Sequence, residues 1–474
     1  MKIIVTVHQF LPDYSSGTEV IALGIARELQ GRGHEVVVVT GYPDPRPLRD
    51  EERFDRYTYD GLRVERFRHS PDPMGDQSVV TELAYDNHLF ARAFDRLLEE
   101  VEPDVVHFAH MARLSAALIG PCVERGIPTV FTATDFWPVC PYSQLRLGGN
   151  ELCAGPDESG INCIRHVAAN VDSHPVSLPG IVARAPNWMI GLGVKAATSS
   201  RLGAGRRFVA ETRALVARQP FLRRELNRID RVLAPSRLME RKLVEGGIDA
   251  ERVSYLPYGI DVAGDAQPAE RGRERVLRLG FIGSVAEHKG VDVAVDALRL
   301  LPPGLPVELS IHGEPGSNAA SQAYYARIQA QAEIDPRIRL CPPFANREVR
   351  RVLASMDALV VPSVWPENTP LVVYEAFAVG CPVIGSDVEG IAEIVRHEVN
   401  GLLFAPGNSS GLASAIRRLV ENRTLLRNLA ARTRPPLSVA AHVSRLEAIY
   451  GELAAAREGP AIPGQTSEAH AGLG

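Results

Sequence analysis

The stretch LVVPSVWPENTPLVVYEAFAVGCPVIGSDVEGIAEI, residues 359–394, indicates how this chain folds. It begins with a short apolar run, residues 359–362, which predicts a buried strand. After a loop bounded by prolines, residues 371–379 predict a helix that ends at Gly380, and residues 382–385 predict a second buried strand. A strand, a helix and a strand in this order form one unit of a parallel α/β sheet. Ligands of such sheets bind at the carboxyl ends of the strands.

Two acidic residues, Glu367 and Glu375, bracket the loop and the first turn of the predicted helix. Free N–H groups at a helix N-terminus, together with the helix dipole, favour a phosphate or a row of hydroxyls. The residues that lead into the helix are Asn368, Thr369, Pro370 and Leu371. The segment therefore predicts a site that binds a sugar and a ribose together. The alternative is that Glu367 caps a loop and Glu375 is a solvated helix residue.

The E-x7-E spacing, with Asn-Thr-Pro-Leu inside it and Gly-x-Pro-Val-Ile after it, resembles the donor site of retaining glycosyltransferases of family 4. The resemblance implies the GT-B architecture, in which two Rossmann-like parallel-sheet domains face each other across a cleft. It also implies that the second domain holds the donor and the first supplies most of the acceptor surface. The resemblance extends over roughly 1–40, 101–165 and 230–455 and is most specific over 281–404.

Length and composition agree with a two-domain globular protein. The chain has 474 residues, of which 45% are hydrophobic and 23% charged, and its net charge is −5. This charge argues against a general nucleic-acid binder. Neither a signal peptide nor a membrane-spanning helix is expected from the pattern of apolar residues. We therefore expect a cytoplasmic protein, with peripheral contact to the inner face of the membrane left open.

The pattern of elements predicts five successive parts of the chain. Residues 1–262 form the first, acceptor-side domain, and the polar, Gly- and Pro-containing run 263–275 is the linker. Residues 276–436 form the donor domain. By resemblance, the helical run 437–456 crosses back to the first domain. Residues 457–474 are predicted to be disordered.

The first βα turn carries a glycine but no dinucleotide-binding fingerprint. Gly17 follows a predicted strand, residues 2–7, and opens a predicted helix, residues 18–30. A glycine at this position lets the backbone approach a ligand, and a helix N-terminus favours an anion. By resemblance Gly17 contributes to the donor site, although Ser16 replaces the more common glycine. The alternative is an ordinary helix cap with a tight turn.

Polar residues follow two further strands of the first domain. His110 lies near the end of one strand and is either an acceptor-side or a structural residue. Thr134 stands where family members commonly carry a histidine; it can hydrogen-bond a sugar hydroxyl but cannot carry a positive charge. Asp135 is a candidate for holding a sugar or acceptor hydroxyl. Trp137 either stacks on a sugar ring or belongs to the core.

A cysteine-rich insert spans about residues 136–170. Its spacing, C-x12-C-x9-C-x2-H, is formed by Cys140, Cys153, Cys163 and His166. Three thiolates and an imidazole can complete a tetrahedral structural zinc site. A disulfide and unlinked buried thiols are the alternatives. The insert resembles one found in a branch of the family, with His166 replacing its last cysteine.

The next segment ends in a basic helix. Residues 170–205 are rich in Gly, Pro and Ser and lack clear periodicity. Residues 206–228 predict a helix in which only Glu211 and Glu225 oppose seven arginines. Such a helix either lies on an anionic membrane or near a lipid-phosphate acceptor, or is simply a solvated surface helix.

The first loop of the second domain carries the predicted diphosphate site. Gly283 ends a predicted strand, and Lys289 precedes a glycine as in the family's phosphate-binding turn. A basic residue there neutralises a diphosphate. Ser284 stands where the family usually has an arginine, so one charge is lost, and His288 compensates in part. The alternative is a surface lysine in an ordinary loop.

Together these residues predict transfer of a glycosyl unit from a nucleotide-diphosphate sugar to an acceptor hydroxyl. Glu367, Asp135 and Lys289 are the predicted catalytic residues. Retention of anomeric configuration is implied by resemblance, and because no protein nucleophile is evident we favour a same-face route. No D-x-D pair is evident, so no catalytic metal is expected. The acceptor is a polysaccharide, a lipid-linked glycan or a small molecule, and cell-envelope glycan is favoured.

Three other functions remain open at this point. A sugar-nucleotide epimerase shares the architecture, but the acids and histidine that it requires are not evident. A phosphorylase often needs a pyridoxal-binding lysine, and no convincing one is found. A catalytically silent sugar-binding or scaffold protein is favoured by Thr134 and Ser284, whereas Glu367, Glu375 and Lys289 argue against it.

Overall fold

The computed structural model describes residues 1–70, 72–146, 152–157, 159–171, 178–199, 207–260, 276–435 and 437–458. The expected linker, 263–275, and nearly all of the expected tail lie outside these residues.

The first domain is built on a mostly parallel sheet. In the described residues its strand order is β3-β4-β2-β1-β5-β6-β7-β8, and only β3 and β4 pair antiparallel. The strands are β1 (Lys2–Val7), β2 (Glu35–Pro43), β3 (Phe54–Tyr59), β4 (Leu62–His69), β5 (Val105–Phe108), β6 (Thr129–Thr132), β7 (Arg231–Ala234) and β8 (Val253–Tyr255).

Helices cover both faces of this sheet. They are α1 (Gly17–Gly31), α2 (Val80–Leu83), α3 (His88–Val101), α4 (Ile119–Glu124), α5 (Ile161–Val171), α6 (Leu178–Arg184), α7 (Asn187–Ser199), α8 (Arg207–Leu226) and α9 (Arg237–Glu245). The apolar runs of the central strands have both faces buried: Ile4 belongs to one core cluster and Ile3 and Val5 to the other. Burial on two faces is what near-continuous apolar strands of parallel sheets require.

The second domain repeats this architecture with a smaller sheet. Its strand order in the described residues is β12-β11-β10-β13-β14-β15, and every pairing is parallel. The strands are β10 (Leu277–Ile282), β11 (Val307–His312), β12 (Ile338–Cys341), β13 (Ala358–Val361), β14 (Val383–Ser386) and β15 (Gly401–Phe404). The helices are α10 (Val291–Leu300), α11 (Ala319–Ile334), α12 (Val349–Ala354), α13 (Leu371–Ala378), α14 (Ser409–Glu421) and α15 (Arg423–Ala431).

The two Rossmann-like domains predicted from the sequence are thereby confirmed. The segment quoted first forms β13, α13 and β14, each within one residue of its predicted bounds.

The last described helix, α16 (Val439–Glu458), packs on the first domain. Val443, Leu446 and Tyr450 are buried in the cluster that includes β1 and α1. Tyr450 Oη lies 2.6 Å from His107 Nδ1 in β5. Just before it, β16 (Leu437–Ser438) pairs with β9 (Gly259–Ile260). Apolar burial and short strand pairing thus hold the C-terminal helix against the first domain.

Two segments after the cysteine-rich insert differ from the sequence-based expectation. Residues 178–199, which lack clear periodicity, contain α6 and α7, because tertiary packing of a few apolar residues stabilises helices with weak local signals. The basic helix α8 is less exposed than its composition suggests. Arg218 is buried and donates from Nη2 to Trp137 O at 2.5 Å, and Glu225 pairs with Arg224 and Arg228.

Candidate functional site

The N-termini of two helices, one from each domain, meet at the interface between the domains. A Cβ added to Gly17, at the start of α1, would lie 3.0 Å from Leu371 Cδ1, at the start of α13. A larger residue at position 17 would require the Leu371 side chain to shift. Both helices follow strands of their sheets, so this interface lies at carboxyl ends of strands, where ligands of α/β proteins bind.

A cation and a carboxylate are paired at the carboxyl ends of β10 and β13. Lys289 Nζ lies 2.6 Å from Glu367 Oε1, and Ser363 Oγ donates to the same oxygen at 2.7 Å. Burial acts to raise the pKa of Glu367, but the ammonium of Lys289 outweighs it and holds this pKa below its ordinary value. The arrangement keeps a buried negative charge and a partly exposed positive charge beside α13.

Two glycines fix the loops that carry this pair. Gly290 has φ 65°, and an added Cβ would lie 2.0 Å from Pro362 O. Gly390 has φ 83°, and an added Cβ would lie 1.6 Å from Glu367 O. Both positions require left-handed backbone and close approach, which glycine alone tolerates without strain. The loop after β13 is thus held tightly between its neighbours.

Asn368 joins the two domains. Its Nδ2 donates to Ala133 O at 3.1 Å and to Thr134 O at 2.9 Å, and its Oδ1 accepts from Ser236 Oγ at 2.8 Å. The side chain is buried. The side-chain amide of this predicted donor-binding residue is therefore occupied by hydrogen bonds to the first domain.

Glu393 makes a second connection between the domains. Its carboxylate accepts from the backbone N of Arg237 and of Leu238 at 2.8 Å each, at the N-terminus of α9. Arg241 and Glu389 add an ion pair of 2.7 Å. A carboxylate at a helix N-terminus is favoured by the free N–H groups and by the dipole. These contacts hold the two domains against each other.

Glu375 lies half-buried on α13, one turn after the helix begins. Burial raises its pKa to about 7. A carboxyl group held in this state accepts hydrogen bonds from ligand hydroxyls more strongly once it is ionised.

The acceptor-side residues form a cluster at the carboxyl ends of β5 and β6. His110 Nε2 lies 3.0 Å from Asp135 Oδ2. Burial acts to raise the pKa of Asp135, but His110 outweighs it and the pKa is lowered. Thr134 Oγ1 donates its hydroxyl proton to Ala109 O at 3.1 Å, so this hydroxyl can only accept a hydrogen bond from a ligand. Trp137 is buried in the core of the first domain, which favours the core interpretation over stacking on a sugar.

Two residues outside the predicted set of site residues, His8 and Glu19, extend this cluster. The rings of His8 and His110 are 4.3 Å apart, and His8 Nε2 lies 3.4 Å from Glu19 Oε1. Glu19 is fully buried, and burial raises its pKa. Burial also lowers the pKa of His8. An acid in the first turn of α1 and a histidine directly after β1 are the signals that could have identified them.

The remaining predicted donor residues lie at the edge of this interface. Ser284 is exposed, and Gly283, directly after β10, has φ 150°. Thr369 Oγ1 donates to Asn368 O at 2.8 Å. Pro370 is the N-cap of α13.

The four residues of the cysteine-rich insert remain unlinked. All six cysteines of the chain are free thiols. Burial raises the pKa of Cys163 to about 12, and Cys140 and Cys153 lie close enough to contribute. The ring of His166 packs against Tyr142 at 4.9 Å. In the described residues no three His, Cys, Asp or Glu side chains converge as metal ligands, so the zinc site stays a prediction.

Both domains match known families. A model described as "Glycosyl transferase 4-like domain" matches residues 16–152, and one described as "Glycosyl transferases group 1" matches residues 277–422. The structure of HepE from Anabaena, solved in complex with UDP, superimposes with a TM-score of 0.61 at 17% identity, over 95% of this chain and 100% of that one. This chain has the GT-B fold.

Curated relatives of this GT-B protein carry glycosyltransferase names. "Amylovoran biosynthesis glycosyltransferase AmsK" of Erwinia amylovora is 29% identical over 194 residues, which are 40% of this chain and 47% of the relative. "D-inositol 3-phosphate glycosyltransferase" of Salinispora arenicola is 30% identical over 292 residues, 58% of this chain and 62% of the relative. The chain thus spans about half the length of the first of these relatives. The resemblance drawn from the sequence is confirmed as far as a GT-B, GT4-like relationship.

Among the described helices, none is long and apolar enough to cross a membrane.

Proposed function

We propose that this protein transfers a glycosyl group from a nucleotide-diphosphate sugar to an acceptor hydroxyl, with retention of anomeric configuration. The observation that carries the proposal is the Lys289–Glu367 pair at 2.6 Å beside the N-terminus of α13. A cation for a diphosphate, a carboxylate for sugar hydroxyls and free helix amides lie together at one interface. The UDP and UDP-glucose bound in HepE support a nucleotide-sugar donor.

The donor residues have separate roles in this proposal. Lys289 binds the departing diphosphate, where negative charge develops as the bond breaks. Glu367 and the backbone N–H groups of Thr369 and Leu371 bind sugar hydroxyls. Glu375 holds the ribose. Lys289 and Glu367 are therefore the residues most directly tied to chemistry.

The reaction proceeds on one face of the sugar. The bond from the anomeric carbon to the diphosphate oxygen breaks, and the acceptor oxygen bonds to the same carbon from the same side. The acceptor proton passes to the departing diphosphate oxygen. Asp135, held by His110 at 3.0 Å, positions the acceptor hydroxyl. No catalytic metal is part of this route.

The names of the curated relatives indicate which classes of acceptor to consider. We propose that the protein acts in the cytoplasm on a cell-envelope glycan or polysaccharide precursor. The name of AmsK supports polysaccharide synthesis, and the inositol phosphate relative supports a small-molecule acceptor as a second class. Free thiols suit a reducing compartment.

The first test is a thermal-shift screen against UDP, GDP, ADP and TDP with their common sugars. A ligand at about 100 times its dissociation constant stabilises a fold by about 2.7 kcal/mol, which is measurable. A shift with one nucleotide, followed by anomeric proton NMR of the glycoside product, would support the proposal. If a folded sample responds to no nucleotide, a silent binding protein is favoured, since Ser284 removes one charge from the diphosphate site. If the donor sugar alone changes configuration, the protein is an epimerase.

A further inference from the structure

One face of α7 exposes large apolar side chains. Trp188 is 67% exposed and Leu192 is 59% exposed, and Met189 is also exposed. Residues 188 and 192 are one helical turn apart, and residue 189 flanks them, so the three share one face. The opposite face carries Ile190 and Val194, which are buried. The helix is therefore oriented with part of its apolar surface turned to solvent.

Contacts with α5 fix this orientation of α7. Arg165 Nη2, from α5, donates to Ala185 O at 2.7 Å and to Asn187 Oδ1 at 2.5 Å, just where α7 begins. A Cβ added to Gly191 would lie 3.5 Å from Ile161 Cδ1, so α7 packs closely on α5. Because α7 is held by these contacts, its exposed apolar face has a fixed position on the protein surface.

The segment of sequence that contains α6 and α7 carries basic residues but no acidic ones. Between Asp172 and Glu211 the sequence contains no acidic residue. Its basic residues are Arg184, Lys195, Arg201, Arg206 and Arg207. Arg184 and Lys195 are exposed, and Ile181 is exposed beside Arg184 on α6. The chain as a whole has a net charge of −5, so the segment contrasts in sign with the rest of the protein.

We propose that α6 and α7 dock the protein on an anionic lipid bilayer. A helix with tryptophan and aliphatic residues on its exposed face and basic residues alongside is suited to lie in the membrane interface. Tryptophan favours the level of the headgroups, and each nearby basic residue is attracted to anionic lipid. A second copy of the chain fits less well, because a self-complementary interface would bring two basic segments together.

The chain contains its own reporter for this contact. Of its three tryptophans, Trp137 and Trp365 are 4% and 8% exposed, and Trp188 alone is exposed. The full-length protein is mixed with vesicles of phosphatidylcholine or of phosphatidylcholine with phosphatidylglycerol, and flotation and tryptophan emission are recorded. We expect flotation and a blue shift only with phosphatidylglycerol, and both should weaken as salt screens the charges.

Variants separate this surface from the rest of the protein. The double change Trp188→Ser and Leu192→Ser should lower vesicle partitioning by roughly tenfold or more, since two apolar side chains no longer enter the interface. Lys195→Glu should also lower it. Ile334→Ser is the matched control, because Ile334 is 75% exposed on α11 of the other domain, and its partitioning should remain that of the wild type.

Nucleotide binding, measured by thermal shift, checks that each variant is folded and stays as in the wild type whether or not the lipid proposal holds. The proposal is overturned if the wild type does not float with anionic vesicles, if it floats equally with neutral ones, or if the double variant floats as the wild type does. It is also overturned if sedimentation shows a dimer that the double variant dissociates, since the apolar face would then join two copies.

Discussion

Lys289 Nζ and Glu367 Oε1 lie 2.6 Å apart, so two residues with different predicted ligands are bound to each other. In the proposed function a donor diphosphate draws the ammonium of Lys289 toward itself. Glu367 Oε1 then keeps its bond from Ser363 and can accept a sugar hydroxyl in place of the ammonium. The ion pair therefore holds both groups in place until the donor replaces it.

Lys289→Ala should destabilise the protein as well as weaken nucleotide binding. The change leaves the buried carboxylate of Glu367 without its cation, and breaking a buried pair costs about 3 kcal/mol or more. Adding Glu367→Ala to this variant should restore much of the loss in free energy of unfolding, measured by urea denaturation. Nucleotide affinity should not recover in the double variant, because the diphosphate still lacks its cation.

The control for this prediction is Lys242→Ala. Lys242 pairs with Glu245 at 2.8 Å on the surface of the first domain, and an exposed pair contributes about 1 kcal/mol or less. If Lys289→Ala destabilises the protein no more than this control does, the pair is not a buried structural interaction.

Nucleotide affinity should depend on the ionisation of Glu375. Burial raises its pKa to about 7, so the residue is mostly neutral in weak acid and ionised above neutrality. A carboxylate accepts hydrogen bonds from ribose hydroxyls more strongly than a carboxylic acid does. Affinity for the nucleotide, measured by calorimetry, should therefore rise as the pH increases through 7. Glu375→Gln should abolish this dependence and lower affinity at high pH by roughly tenfold.

Ionisation of Glu375 should affect the free energy of unfolding in the opposite direction: stability should fall as the pH rises, whereas nucleotide affinity should increase. Because the folded pKa of Glu375 is raised above that of the unfolded chain, ionisation favours unfolding. The cost begins as the pH rises above the unfolded pKa and reaches its full size above about 7. Glu375→Gln should therefore be more stable than the wild type at high pH and similar to it in acid. A variant that loses stability at high pH would show that the carboxylate is held by a partner.

The fold could be predicted from the sequence because local patterns of residues mark its strands, helices and turns. The apolar runs of β1 and β13 and the glycines beside them mark strands and turns without reference to distant residues. Local patterns could not show that Lys289 and Glu367 pair, or that Asn368 reaches the first domain, since these contacts depend on how two loops and two domains pack. For the same reason α6 and α7 were missed.

Asn368 should act on domain closure more than on donor contact. Its amide makes three hydrogen bonds to Ala133, Thr134 and Ser236 of the first domain. Asn368→Asp should place a carboxylate against two carbonyl oxygens and open the interface. We expect a larger radius of gyration by X-ray scattering and a lower melting temperature. Ser236→Ala removes only one of the three bonds and should have a smaller effect. Equal radii for the wild type and Asn368→Asp would show that other contacts suffice to keep the domains closed.

Asp135→Asn should separate acceptor use from donor binding. The His110–Asp135 contact of 3.0 Å lies on the first domain, whereas the Lys289–Glu367 pair lies on the second. We expect an unchanged dissociation constant for the nucleotide, and a kcat/KM for the acceptor lowered by roughly tenfold or more, since a charge-assisted hydrogen bond is lost.

The pH dependence of stability gives a second readout of Asp135. Its pKa is lowered in the folded protein, so the carboxylate adds stability above the unfolded pKa, and this contribution is lost as the pH falls through the folded pKa. The wild type should therefore exceed Asp135→Asn in stability near neutral pH and approach it in acid. Asp95→Asn is the control, because the pKa of Asp95 is lowered by Arg125 on the surface of the first domain. Its acid profile should change without loss of transfer, and an equal loss of transfer in both variants would assign the effect of Asp135 to stability alone.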